Sequence, residues 1–489
     1  MDERPSDGQA EAEKASLKPS PSLASVNPEV EKRLLKKLDW ILLPLFTAIH
    51  CCNVVDRTSI GNSRVAGLEQ DLGMRGYDLN IALVTFYVVY TVADVPSNLL
   101  LKHWGSTWLA CLVIGFGAVS IGAAFVHNLA GLIATRVFLG LAEGGTVSAL
   151  VYIMSRYYRR HELVLRVGVL FGVAPSIAGA FGGLLASGLL KIPDFGIVTT
   201  WRKIFLIEGL ITTLFGLALL FIMPEDPSKS RILNSQERKL ALERIDADQV
   251  FKTQGRKEKT TLKLVLRSFN FITIACTICF ILVNMSFQGL SLFMPSVIRT
   301  QGNYTTIEIQ LRTVPPYVAS AVWVILNAYV SARIKMRVVP LLFNAVIMVV
   351  GYAISVTTRN SKARYAVCFL IMMGASTCGS LIMTWATDNS APDTMRAVTA
   401  AAIPGFGAIG SLLAVWTYTP TDAPDYRRGN LSNLAATSTV CVIATVTALY
   451  IQWENRRRER GERDQILEGK TTEEIEVLGC YHPEFRYQI

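Results

Sequence analysis

The chain has 489 residues, 51% of them Ala, Val, Ile, Leu, Met, Phe, Trp, Tyr or Cys and 18% charged, against about 25% charged in an average soluble protein. So much apolar surface exceeds what a soluble core can hide, and polar residues are confined to the two ends and one central stretch, which excludes whole-chain disorder, a disulfide scaffold and collagen. The formal net charge is +10, but the basic residues gather between apolar tracts and form no basic face interleaved with aromatics, so they point to a bilayer and no nucleic-acid partner is expected.

Residues 1 to 30 are polar and lack the apolar core of a cleavable signal peptide. Over 29–38, Leu34, Leu35 and Leu38 share one helical face with Lys and Arg opposite, predicting a helix lying along the inner membrane surface. Twelve apolar tracts follow, at 40–60, 79–101, 106–127, 130–154, 164–190, 202–223, 269–297, 313–333, 338–358, 364–387, 397–418 and 432–453. Each is near the roughly 20 residues that cross a 30 Å hydrocarbon layer. The expected architecture is an all-α membrane protein with twelve transmembrane helices in two six-helix bundles. Residues 1–39 would be a cytoplasmic tail with its interfacial helix, 40–223 the first bundle, 224–268 a cytoplasmic linker, 269–453 the second bundle and 454–489 a cytoplasmic tail.

With both termini cytoplasmic, four basic clusters fall on the inner side: Lys32, Arg33, Lys36 and Lys37; Arg156, Arg159 and Arg160; Arg333, Lys335 and Arg337; and Arg456, Arg457, Arg458 and Arg460. The same topology puts the sequons at Asn303 and Asn430 outside, as candidate glycosylation sites. A third sequon, at Asn284, lies within a tract and is read as a chance match. The nine cysteines read as small buried hydrophobes, and Cys276 and Cys279 lack the second pair or His that a metal site needs.

Ionisable residues inside an apolar tract cost about 2.5 kcal/mol or more each, so each needs a partner or a task. The fourth tract carries Arg136 and Glu143, seven residues and therefore about 10.5 Å apart along one helix face, with Gly140 leaving room between them. They could present a cation to a carboxylate and a carboxylate to a proton, or each could pair with a neighbouring helix. Arg57, beside Asp56 in the first tract, is a second candidate anion-binding cation or an interfacial anchor; Asp94, in the second tract before Pro96, suits proton coupling or helix contact. His50 reads as a helix contact. In the seventh tract Asn284, Gln288 and Ser291 make a polar stripe for a ligand or for a neighbouring helix. Asn389, beside Asp388, caps its tract. Gly405-Phe-Gly407-Ala-Ile-Gly410 fits a dinucleotide pattern but has no strand before it, so it and the glycines at 168, 172, 179, 182 and 183 read as places of close helix approach, with Pro175 and Pro404 as kinks.

Several short motifs occur in order: Lys37-Leu-Asp-Trp40, Asp56-Arg-Thr-Ser-Ile-Gly-Asn62, Val95-Pro-Ser-Asn-Leu99, Arg136-Val-Phe-Leu-Gly-Leu-Ala-Glu143, Trp201-Arg-Lys-Ile-Phe-Leu-Ile-Glu-Gly209, Val314-Pro-Pro-Tyr317 and His482-Pro-Glu-Phe-Arg-Tyr487. Together they resemble the anion:cation symporters of the major facilitator superfamily, in the fungal allantoate permease-like branch that includes nicotinate, pantothenate and biotin permeases. The resemblance implies proton-coupled uptake of a small organic anion across the plasma membrane, with Arg57 and Arg136 binding the anion and Glu143 coupling the proton. No cofactor is implied beyond the proton gradient, and a multi-pass monomer in the bilayer is expected. Four positions depart from the family pattern: Ser148 stands for Pro, Asp94 for Glu, Ala332 for Asp and Ala408 for Asn. Loss of the carboxylate at 332 would weaken an inner ion pair, so a carrier or exporter of a specialised metabolite is the alternative, and a membrane nutrient sensor the non-transport one. No nucleophile and base pair or phosphate loop suggests an enzyme.

Overall fold

The computed structural model describes residues 28–489 other than 195, 224–225, 229, 231, 254–261, 335, 392, 468 and 470–477. The tail before residue 28, part of the linker, Lys335 and part of the final tail therefore lie outside the described residues. Among those described there are sixteen α-helices and no strand. The first half holds α1 (Pro28–Val65), α2 (Leu68–Asp71), α3 (Asp78–Trp104), α4 (Ser106–Ala123), α5 (Leu129–Glu143), α6 (Thr146–Tyr157), α7 (Arg160–Leu189) and α8 (Thr200–Ile222). The linker contributes α9 (Ser235–Thr253) and α10 (Leu262–Arg267). The second half holds α11 (Phe271–Arg299), α12 (Thr306–Ile334), α13 (Val338–Thr357), α14 (Ser361–Asp388), α15 (Asp393–Val415) and α16 (Arg427–Glu459). Eleven stretches are long and apolar enough to cross a membrane among the described residues, α5 and α6 together forming one. The 27-residue α3, with Asp78, Asp94 and Lys102 in its length, takes the remaining place in the order of twelve.

Packing repeats between the halves. In the first, α4 lies on α8, α3 on α5, and α1 on α7 and α8; in the second, α13 lies on α16, α12 on α14, and α11 on α15 and α16. Adding six spans to one set gives the other, as expected of a fold built from two related bundles. Between halves, α7 meets α12 and α14, α3 meets α15 and α1 meets α11. Glycines make the first contact possible: a Cβ at Gly172 would lie 2.3 Å from Ser380 Oγ, at Gly179 2.3 Å from the Tyr317 ring and at Gly183 2.4 Å from Thr313 Oγ1. Gly410 of α15 likewise sits against Ile281 O of α11, where a Cβ would lie 2.3 Å away.

Residues 29–38 form no separate surface helix, a correction to the sequence reading. They are the first turns of α1, whose 38 residues span about 57 Å. Leu34, Leu38, Leu42, Phe46 and Ile49 make one buried stripe, so the leucines meet protein where lipid was expected. Polar contacts hold this extension: Asp39 takes both ends of the Arg166 guanidinium at 2.6 and 2.7 Å, and Lys37 Nζ reaches Glu237 of α9 at 2.7 Å. The Lys37 ammonium keeps the Glu237 carboxyl below its usual range.

At the same end of the molecule, residues 478–489 fold back on the second half. Arg458 Nη1 donates to Phe485 O at 2.8 Å, and its guanidinium lies 4.4 Å over the Tyr487 ring. Asn389 does more than cap α14: it accepts from Gln488 N at 2.7 Å and donates to Gln488 O at 2.9 Å. Arg337, next to the departure at Ala332, is held by Asp388 (3.1 Å) and Ser331 (2.8 Å).

The two sequons separate. Asn303 is exposed between α11 and α12. Asn430 lies in the first turn of α16, buried, with its amide donating to Asp425 O at 3.4 Å and accepting from Tyr418 at 3.3 Å. The expected glycan at Asn430 is thereby corrected, since its amide nitrogen is engaged inside the protein.

Candidate functional site

Both halves line one central cavity of about 160 Å³. Spacings of three and four residues put His50, Val54, Arg57 and Thr58 of α1, Tyr87 and Tyr90 of α3, and Phe280, Asn284, Phe287 and Gln288 of α11 on its wall. Phe171 and Pro175 of α7, Ser376 of α14 and Pro404, Ala408 and Ser411 of α15 also line it. Five aromatic side chains and one guanidinium therefore face the same space. Of the family departures, Ala408 opens onto it as a methyl where an amide was expected.

Arg57 is fixed from two sides. Its Nε donates to Glu143 Oε2 at 2.7 Å, and its guanidinium lies 4.4 Å from the Tyr90 ring centroid and 5.6 Å from that of Phe86. Its Nη2 is buried and has no hydrogen-bond partner. Ring faces orient the cation, and Nη2 is left for a ligand.

Glu143 is fully buried behind Arg57, and its Oε1 has no partner. The chain breaks its helix directly after it. Gly145 adopts φ +85°, and a Cβ there would meet Ser97 Oγ at 2.4 Å, so the fourth span is split into α5 and α6 at this carboxylate. Gly140, the residue expected to leave room on the Arg136 face, instead admits α3, where a Cβ would lie 2.8 Å from Phe86 O.

The other sequence candidates divide. Asn284 lines the cavity but spends its amide on α15, donating to Gly407 O (2.7 Å) and Ser411 Oγ (3.0 Å). Gln288 joins the halves, donating to Tyr87 OH at 3.1 Å. Ser291 meets Tyr317 at 2.9 Å. Arg136 does not reach the cavity: it is 3% exposed, its guanidinium stands 5.3 Å from the Phe205 ring of α8, and it acts electrostatically on Asp56 and Glu143. The bundle interior of the first half encloses it, which removes it from direct contact with a ligand in this state. Asp94 lies between α3 and α6, accepting from Ser148 at 2.9 Å and from Asn98 at 3.2 Å. His50 lines the cavity, edge-on to Phe171 with ring centroids 5.7 Å apart.

Sequence reasoning passed over Glu208 and gave Asp56 no partner. Asp56 is hydrogen-bonded to Ser120 of α4, and Glu208 of α8 to Ser59 of α1. Both carboxyls are 2% exposed. The signal for Glu208 was a carboxylate at the seventh residue of the apolar tract 202–223, inside the motif from Trp201 to Gly209.

The end of the molecule away from residues 28 and 489 is closed across the halves. Asn80 Nδ2 donates to Val415 O at 2.6 Å, Gln310 Nε2 to Asn62 O at 3.1 Å, and Tyr77 packs on Trp416 with centroids 5.9 Å apart. A Cβ at Gly61 would lie only 2.2 Å from Leu292 O. At the other end the ion pairs Arg166–Asp39 and Arg337–Asp388 each stay within one half, and Arg244–Glu162 ties the linker to the first half.

A family model described as Major Facilitator Superfamily matches residues 46–415. The chain belongs to this superfamily. It is 30% identical to an uncharacterized transporter of Schizosaccharomyces pombe over 95% of each chain. To the MFS-type transporter efuF of Hormonema carpetanum it is 31% identical, over 91% of this chain and 90% of that one. The high-affinity nicotinic acid transporter of Saccharomyces cerevisiae is 29% identical over 96% of this chain and 86% of its own. Among solved structures, a bacterial homolog of the human lysosomal transporter Spinster, inward-facing and unoccupied, has a TM-score of 0.62 at 15% identity, covering 83% of this chain and 95% of that chain. The protein is thus a multi-pass membrane transporter of the major facilitator fold.

Proposed function

We propose that this transporter takes up a small planar carboxylate together with a proton across the plasma membrane, using the cavity between its halves by alternating access. The observation that carries the reading is the Arg57–Glu143 pair: a cavity-facing guanidinium whose other face is held by a buried carboxylate. While Glu143 is ionised it neutralises Arg57. Once protonated it releases that positive charge to an incoming anion, and the loaded site then carries no uncompensated charge through the hydrocarbon. Proton and anion therefore bind in support of each other, which is the requirement of symport.

Cavity size and lining favour the vitamin-like end of the candidate substrates. A space of about 160 Å³ matches one six-membered ring, since a dry cavity of roughly 150 Å³ holds benzene. Tyr87, Tyr90, Phe171, Phe280 and Phe287 offer ring faces and edges around it. Nicotinate fits that description better than the longer allantoate or pantothenate, and the nicotinic acid transporter among the relatives supports it.

The test is uptake of radiolabelled nicotinate, pantothenate, biotin and allantoate into permease-deficient yeast expressing the chain, at acid and neutral pH, with and without a protonophore. Protonophore-sensitive nicotinate accumulation, stronger in acid, is the expected result. Protonophore-insensitive uptake, or none despite surface expression, would remove the symport reading.

A further inference from the structure

The cavity between the halves carries a second polar group on the Arg57 wall. His50 and Arg57 share one face of α1, seven residues and so about 10.5 Å apart along its axis, and both line the same space. Other polar side chains lining it are engaged within the protein. Asn284 donates to Gly407 O and Ser411 Oγ, Gln288 to Tyr87 OH at 3.1 Å and Thr58 to Val55 O at 3.0 Å, while Ser376 accepts from Ser320 at 2.9 Å. Tyr90 lies against the Arg57 guanidinium, and Arg57 itself holds Glu143. His50 differs from all of these: it is 5% exposed, it forms no hydrogen bond among the described residues, and its Nδ1 is sealed in protein without a partner.

Phe171 of α7 meets the His50 ring edge-on at 5.7 Å and brings no polar atom to it. Burying a polar ring without a partner costs free energy that a phenyl ring in the same space would not, so packing alone does not account for an imidazole here. With Nδ1 shut away, Nε2 is the nitrogen left to the cavity, and in the tautomer that carries its hydrogen there it is a donor. Ligand pockets have this form, an apolar lining with a few polar groups that fix orientation. Arg57 supplies the cation for one end of a planar ligand, and His50 stands two turns away on the same wall.

We infer that His50 is a specificity-determining residue, donating through Nε2 to a hydrogen-bond acceptor on the ring of a substrate whose carboxylate is held by Arg57. The substrate class is then a heteroaromatic carboxylate with its acceptor set away from the carboxylate, and an aromatic acid of the same shape without that acceptor binds more weakly. This rests on the planar-carboxylate reading above and is independent of its proton coupling.

The test is calorimetric titration of the purified full chain with nicotinate and with benzoate, which has the same shape and no ring nitrogen. The parent chain is expected to bind nicotinate about tenfold more tightly, the size of one neutral hydrogen bond. His50→Phe should bring the two Kd values together by weakening nicotinate and leaving benzoate as it was, and His50→Gln, which keeps an N–H donor, should recover part of the gap. Picolinate, with its nitrogen beside the carboxylate, should bind the parent as benzoate does. Equal Kd values for nicotinate and benzoate in the parent, the parent's ratio kept in His50→Phe, or picolinate bound as tightly as nicotinate each overturn the inference. A second measurement needs no folded variant: with isotope-labelled histidine in the parent chain, which has five histidines, an imidazole nitrogen signal should shift with nicotinate and stay with benzoate. The same signals for both acids would overturn it as well. A nicotinate preference without protonophore-sensitive uptake removes symport and leaves His50 in place; equal binding of the two acids with such uptake removes His50 and leaves symport; binding of neither acid removes the planar-carboxylate reading and this inference together.

Discussion

Arg57 of α1 and Glu143 at the end of α5 meet at 2.7 Å, one lining the cavity and the other sealed behind it. Among the described residues lining the cavity, this guanidinium is the point at which the buried charge network opens to a ligand. Replacing Arg57 by Ala is expected to lower anion uptake per surface-expressed molecule about ten- to a hundredfold, the range of one charge-assisted hydrogen bond. Arg57→Lys should recover only part, because a point charge cannot engage Glu143 and a carboxylate as a planar fork does. Initial uptake rates against surface-labelled protein measure this, and full activity in Arg57→Ala would exclude the residue from binding.

Glu143→Gln keeps size and hydrogen bonding but fixes the neutral form. Acid stimulation of net uptake should disappear while exchange of labelled for unlabelled anion persists. Counterflow in vesicles at two pH values separates the outcomes; persistence of acid-driven accumulation would move the proton elsewhere.

Arg136→Ala should act on the fold rather than on binding. Arg136 acts on buried Asp56 through its field and not through an ion pair, so the loss is expected to stay below the about 3–5 kcal/mol of a broken buried pair. Thermal melting in detergent should fall in Arg136→Ala and recover in Arg136→Ala combined with Asp56→Asn. A stable single variant with weakened substrate affinity would contradict this and return Arg136 to the binding site.

At Gly61 the closed end of the cavity leaves no room for a side chain. Gly61→Val is expected to hold that end open, cutting net uptake at least tenfold while making a cysteine introduced at Thr58 reactive to membrane-impermeant maleimide. Unaltered labelling of that cysteine would show that the contact is not needed for closure.

Exposed Asn303 and buried Asn430 predict a single glycan. Glycosidase treatment should shift the mobility of the parent chain and of Asn430→Gln, and leave Asn303→Gln unmoved. A shift surviving Asn303→Gln would contradict the assignment.

The span order and the split into halves were legible because apolar length is a one-dimensional property of the chain. Contacts across helices were not. Asp94 and Ser148 each departed separately from the family pattern, yet in space the hydroxyl of one donates to the carboxylate of the other, so a pair explains what neither residue does alone. Arg136 and Arg57 looked equivalent as cations in apolar tracts, and only helix rotation turns the second toward the cavity and the first toward Phe205. Glu208 escaped because a lone carboxylate in an apolar tract names no partner, and only the approach of α1 brings Ser59 to it. Residues 29–38 misled for a related reason: an amphipathic face is the same whether lipid or protein covers it.

α1 is one rod from Pro28 to Val65, interrupted in composition only by Pro44. Along it, in order, lie Lys37 on the linker helix, Arg57 on the cavity, Ser59 on Glu208 and Gly61 on the seal. A ligand or a modification that pulled α9 aside would bear on the same continuous helix that carries the cargo contact and the far gate. A nanobody raised against α9 is therefore expected to alter transport from some tens of ångströms away along α1.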